Sequence, residues 1–160
     1  MASKDAQGSG REETIDEQAD RKWNDLLQEL RVMQTGTQLI AGFLLTLPFQ
    51  SKFDELDTYQ RTLYLVIVLI ALLTTALVVT PIAVHRRVSG RHVKQRLVRV
   101  AELFVAGVLS GIGLLLVGIS MFVFDVVLGR TAGIVVGVPL LVVVLLLLVG
   151  VPERMLRHSS

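Results

Sequence analysis

Ten consecutive aliphatic residues, Leu140–Val149, constrain this chain more than any other feature. Such a run has no polar side to offer water, and with its neighbours it forms a stretch over 132–151 that suits the bilayer interior. About 20 mostly apolar residues, rising 1.5 Å each, cross roughly 30 Å of hydrocarbon. Three more stretches reach similar length, at about 32–49, 62–84 and 100–124. The first is the most polar, with Gln34, Thr35, Thr37 and Gln38 in its first half. A chain of 160 residues has room for one domain built on four such helices. Its mean hydropathy of +0.61 agrees with apolar residues gathered in runs rather than stripes.

The basic residues orient the spans. Lys4, Arg11, Arg21, Lys22, Arg31, Arg86, Arg87, Arg91, Lys94, Arg96, Arg99, Arg154 and Arg157 fall on one side, and Lys52, Arg61 and Arg130 on the other. The positive-inside bias then expects both termini in the cytoplasm and a multi-pass protein of the cytoplasmic membrane. Residues 1–31 hold eight acids, five bases and no apolar h-region, so the first span is expected to be retained rather than cleaved. Thr14 and Glu17 have capping-box spacing, and a helix begun there can run through the first span to Pro48. Trp23, Leu26, Leu27, Leu30 and Met33 would give its cytoplasmic part an apolar face, suited to headgroups or a partner helix.

The expected fold is therefore an all-α membrane protein. It is a four-transmembrane-helix bundle over 14–152 with an amphipathic cytoplasmic extension of helix 1. A disordered tail, 1–13, precedes it, and a cytoplasmic tail, 153–160, comes after it.

Four groups of residues could carry function. Arg31, Gln34, Gln38, Gly42 and Thr46 recur at helical spacing and form a polar stripe on span 1. Glutamine in hydrocarbon is costly unless hydrogen-bonded, so the stripe is expected to face the bundle interior or a wet cavity. It would serve there as interhelical glue or as a polar path. Gly107 with Gly111, and Gly133 with Gly137, are spaced for close helix approach, within one chain or between copies. Glu102, Asp125 and Arg130 are interfacial charges. Glu102 is expected to pair with Arg99 or Arg31, and Asp125 with Arg130 across the short outer turn. Arg86, Arg87, Arg91, Lys94, Arg96 and Arg99 form a basic loop suited to anionic lipid headgroups.

Other chemistry finds no foothold. The chain has no cysteine, and His85, His92 and His158 lack metal-ligand spacing. No Ser–His–Asp set or phosphate loop is present, so neither an enzyme, a metal, a cofactor nor a nucleic-acid partner is expected.

The stretch from Glu29-Leu30-Arg31-Val32-Met33-Gln34-Thr35-Gly36-Thr37-Gln38 through Gly42-Phe43-Leu44-Leu45 and Pro48-Phe49 is distinctive. So are Phe53-Asp54-Glu55-Leu56-Asp57-Thr58-Tyr59-Gln60-Arg61 and Phe124-Asp125-Val126-Val127-Leu128-Gly129-Arg130-Thr131-Ala132-Gly133. With these motifs the chain resembles the four-span integral membrane proteins of high-GC Gram-positive bacteria catalogued as a domain of unknown function. The resemblance extends from about Trp23 to Gly150 and implies the same four-span topology. Some similar proteins carry an automatic label of sodium:proton antiporter, but the family supplies no catalytic or ion-binding residues to transfer. No carboxylate of this chain falls near a span midplane, where coupled carriers hold one. The expected role is a non-enzymatic scaffold or accessory subunit, with a homo-oligomer or another membrane protein as partner. The alternative is a small oligomeric cation or proton transporter using Gln34 and Gln38.

Overall fold

The computed structural model describes residues 15–88 and 94–150. Four helices account for most of them. Helix α1 is Ile15–Thr46, α2 is Thr58–Val88, α3 is Lys94–Leu128 and α4 is Arg130–Leu145, continued by a π-helical turn over Leu146–Gly150. Two 3₁₀ turns, Leu47–Phe49 and Ser51–Glu55, join α1 to α2. The first begins at the motif Leu47-Pro48, where proline cannot supply the amide that would continue α1. The expected tails, the Thr14 cap and Arg91 lie outside the described residues.

Each of the four helices contains a segment long and apolar enough to cross a bilayer: Arg21–Phe49, Thr58–Pro81, Glu102–Leu128 and Arg130–Gly150. Their outward surfaces are covered by large apolar side chains such as Phe43, Leu65, Leu116, Val135 and Leu147. A water-facing surface of that composition would be unstable, whereas lipid solvates it. This is an all-helical, four-helix membrane protein.

The helices alternate in direction, and α2 packs on α1 and α3, which also meet each other. Helix α4 rests chiefly on α3. Two apolar clusters hold the first three helices together. Leu30, Val78 and Val108 meet at one level, and Ala41, Leu44, Tyr64, Ile67, Ala71, Leu115 and Phe122 at another. Tyr64 lies edge-on to Phe53, with centroids 5.2 Å apart, and its hydroxyl donates to the Leu44 carbonyl at 2.9 Å. That bond also occupies the phenol, which would otherwise be a costly polar group among apolar neighbours.

Length divides the helices. At 1.5 Å per residue the 31 residues of α2 and 35 of α3 extend about 46 and 52 Å, whereas Arg130–Gly150 covers about 30 Å. Helices α1, α2 and α3 therefore extend past the last described residue of the fourth span, Gly150, on the side of the α2–α3 junction. There the amphipathic extension of α1 buries Leu30 completely and Trp23 almost so. Leu30 is packed against the chain's own α2 and α3, so its partner is intramolecular rather than lipid headgroups. The basic stretch is also more helical than expected. Arg86 and Arg87 belong to α2, and Lys94, Arg96 and Arg99 to α3.

Candidate functional site

The polar stripe of α1 does not face the bundle. Leu30, Thr37, Ala41 and Leu44 form the buried face, while Arg31, Gln38, Gly42 and Thr46 are exposed and Gln34 is half-buried. The expectation of an inward stripe is corrected by about a quarter-turn of the helix, because the apolar and polar residues of span 1 lie on adjacent flanks. Thr46 donates to its own helix at Phe43 O, 2.7 Å away. Neither Gln34 nor Gln38 has a side-chain hydrogen bond among the described residues. Sequence reasoning missed Thr37 as the polar residue that enters the core. Its hydroxyl donates back to Met33 O at 3.0 Å and Gln34 O at 3.1 Å, so it needs no partner on another helix. Thr74 is buried and closed in the same way on Ile70 O. Both hydroxyls are thus satisfied within their own helices, without a partner from a neighbouring one.

At the opposite end from the α2–α3 junction, the two later motifs come together. Asp57 accepts the Gln60 amide N–H at 2.8 Å, and Gln60 Oε1 accepts the Asp57 amide N–H at 3.1 Å, a reciprocal cap on α2. The other end of the same carboxamide donates from Nε2 to Asp125 Oδ1 at 2.7 Å. Arg130 Nε donates to Asp125 Oδ2 at 3.1 Å, and its Nη2 to Asp57 Oδ2 at 2.7 Å. Its guanidinium also sits 3.8 Å above the Tyr59 ring. Asp125 is only 3% exposed, yet both its oxygens are bonded, one by a cation. A buried carboxylate is tolerable on those terms. The backbone amide of Gln60 holds the Asp57 carboxyl below its ordinary range, and Arg130 adds to this. Arg61 secures the preceding turn by donating to Leu56 O and Asp54 O.

Gly129 makes this network possible. It alone separates α3 from α4, with φ of +94°, a backbone region that costs little only for glycine. Its amide closes α3 on Asp125 O at 2.9 Å. The sharp reversal places Arg130 beside Asp125, as the expected local pair, and in reach of Asp57, which was not foreseen. Asp57-x-x-Gln60 ahead of an apolar run was the available signal for the cap. The partnership of Gln60 with Asp125, 65 positions apart, had none.

The glycine pairs act within the chain. A Cβ on Gly111 would stand 2.9 Å from Thr74 Cγ2 of α2, and Gly107 faces Leu77 of the same helix. On α4, Gly133 and Gly137 lie against Met121 and Asp125 of α3. Gly113 and Gly118, not singled out from sequence, also admit close neighbours, Val144 and Ile67 respectively. Glu102 is exposed and makes no ion pair with Arg31; the other expected partner, Arg99, has its side chain outside the described residues. Among the described residues, no group of three or more His, Cys, Asp or Glu could hold a metal ion.

The model of a family described as a family of unknown function (DUF6328) matches residues 12–152. None of the curated proteins and none of the solved structures matches the chain.

Proposed function

The chain belongs to that family of unknown function, and we propose that it is a non-enzymatic scaffold or accessory subunit that binds another membrane protein through the polar flank of α1. The observation that carries this reading is Gln38, exposed within an apolar span and without a hydrogen-bond partner among the described residues. An unsatisfied polar group in hydrocarbon costs several kcal/mol. A neighbouring helix offering a carbonyl or amide recovers part of that, about 1 kcal/mol per interhelical bond. Gly42 lies one turn further along the same flank, with nothing within 4 Å of where its Cβ would be, so a partner helix can approach closely. The distribution of bases supports a reading with both termini in the cytoplasm and with Arg86, Arg87, Lys94, Arg96 and Arg99 drawn to anionic headgroups.

The test is purification in native-like lipid discs with mass and co-purifying chains measured together. Wild-type protein should carry a second membrane subunit, and Gln38→Leu should lose it while its own unfolding midpoint is unchanged. A wild-type monomer accompanied by lipid alone would contradict the reading.

The same outward flank gives a second reading, in which several copies turn Gln34 and Gln38 toward a shared axis and conduct protons or sodium. It predicts flux in proteoliposomes that Gln38→Leu abolishes without changing oligomer mass.

A further inference from the structure

On the flank of α1 away from the glutamine stripe, an open groove of about 780 Å³ runs between α1 and α3. Val32, Met33, Val105 and Leu109 supply its apolar lining, and Asp25, Gln28 and Glu29 its polar edge. Neither Asp25 nor Glu29 has an ion-pair partner among the described residues. Helical spacing puts the exposed Glu102 on the same face of α3 as Val105 and Leu109, which adds a third carboxylate near the rim. Gly36 lies one turn beyond Val32 on the same face of α1, with nothing within 4 Å of where its Cβ would stand. The line of the groove is therefore unobstructed along α1 in the direction away from the acids.

The two ends of the groove lie in different surroundings. Leu30 packs with Val108, so α1 and α3 are level there. From Val108 to Asp125, in the charged network at the far end of α3, is about 26 Å of helix. Glu29 and Asp25 follow Leu30 outward, at about 27 and 33 Å from the Asp125 level, and Glu102 lies at about 35 Å. The hydrocarbon is roughly 30 Å thick. The three acids thus straddle or pass its edge, in the headgroup layer, while Val32, Met33 and Leu109 are within it. Val32 is 72% exposed and Leu109 41%, so the groove opens sideways into lipid.

We propose that this groove binds a membrane lipid whose headgroup carries a primary ammonium. The ammonium sits against Asp25 and Glu29, and an acyl chain lies over Val32, Met33, Val105 and Leu109 and runs on past Gly36. A bilayer lipid already holds its head at the depth of the acids and its tail at the depth of the apolar lining. The carboxylates select among lipids. An anionic headgroup would bring its charge beside like charges, whereas an ammonium offers three N–H donors to acceptor oxygens that have no cation of their own among the described residues. The basic residues near the α2–α3 junction favour the opposite class of lipid, so a preference for ammonium lipid would belong to this groove. The inference uses a different flank of α1 from the proposed partner site and stands or falls separately.

The chain lacks cysteine, so single cysteines can carry a bimane fluorophore on the full-length protein. Thr35→Cys places it on an exposed position beside Gly36. Leu73→Cys is the control, because Leu73 is 57% exposed and lies five residues from Val78, as Thr35 does from Leu30. The vesicles contain equal parts of phosphatidylethanolamine and phosphatidylglycerol, with quenching bromines on the acyl chains of one lipid at a time. At Thr35 the quenching should show phosphatidylethanolamine preferred by about two- to thirty-fold, the equivalent of two exposed ion pairs. The preference should be absent at Leu73. Asp25→Asn with Glu29→Gln should remove it, and Asp25→Lys with Glu29→Lys should turn it toward phosphatidylglycerol, an outcome that misfolding does not mimic. Equal quenching by the two lipids at Thr35 overturns the proposal, as does a preference that survives neutralisation of both acids or appears equally at Leu73. A Thr35 probe quenched by neither lipid would mean that protein fills the groove, and overturns it too.

Discussion

Gly133→Ala tests how α4 is held. The added Cβ would lie 2.8 Å from the Met121 carbonyl oxygen, 3.0 Å from Asp125 Cβ and 3.2 Å from the Asp125 nitrogen. Two of these are backbone atoms in the interior of α3 and cannot swing aside. Ordinary contact begins near 3.4 Å, so α4 must retreat by about 0.6 Å. A gap of that size forfeits a quarter to a half of the dispersion energy of each facing atom pair. The buried residues of α4 are Gly133 and Gly137, so its fully buried contacts with α3 are concentrated at these two positions. Overpacking of this kind costs about 1–3 kcal/mol. The substitution also gains helix propensity, about 0.8–1.0 kcal/mol, and that term must be removed. Gly36→Ala does so, because nothing lies within 4 Å of its Cβ position. In micelles, with unfolding driven by a denaturing detergent and monitored by circular dichroism, Gly133→Ala should be less stable than Gly36→Ala by about 1–3 kcal/mol. If the two variants agree to within about 0.5 kcal/mol, α4 is not held by close backbone approach and the reasoning fails.

Two further outcomes concern the core and the loop end. Tyr64→Phe keeps the ring against Phe53 and Phe122 but leaves the Leu44 carbonyl without the phenol. It should cost about 1 kcal/mol in the same unfolding assay, and no loss would mean the hydroxyl is idle. Asp57 has its folded-state pKa lowered by the Gln60 amide, so its contribution is complete above the ordinary carboxylate range and is lost as pH falls through the lowered value. The protection of the amides of Thr58–Arg61 against hydrogen exchange, relative to the intrinsic rate at each pH, should therefore fall on acidification in wild type. In Asp57→Ala, which has no carboxyl to titrate there, the same amides should respond far less; equal responses would contradict the assignment.

Much of the fold was legible because a bilayer leaves few options. Apolar length read out the four helices, and Pro48 marked the end of the first. Less was legible at the candidate site. Span 1 carries an apolar face and a polar flank side by side, and sequence alone assigned the costly polar groups to the interior. In the structure Thr37 could take the interior position because its hydroxyl returns to its own helix, whereas the longer Gln38 carboxamide does not.

The sequence by itself determined that this chain crosses a membrane as four helices, since hydrophobic length is a property of each segment alone. It also contained the reciprocal cap at Asp57 and Gln60, because three-residue spacing is local. Only the tertiary structure decided which helices the glycines bring together, that Gln60 and Arg130 supply the hydrogen bonds of a buried Asp125, and that Gln38 of α1 looks outward. It also revealed the acid-edged groove between α1 and α3. These depend on the rotation and register of each helix against its neighbours, which are set by packing between residues far apart in the chain.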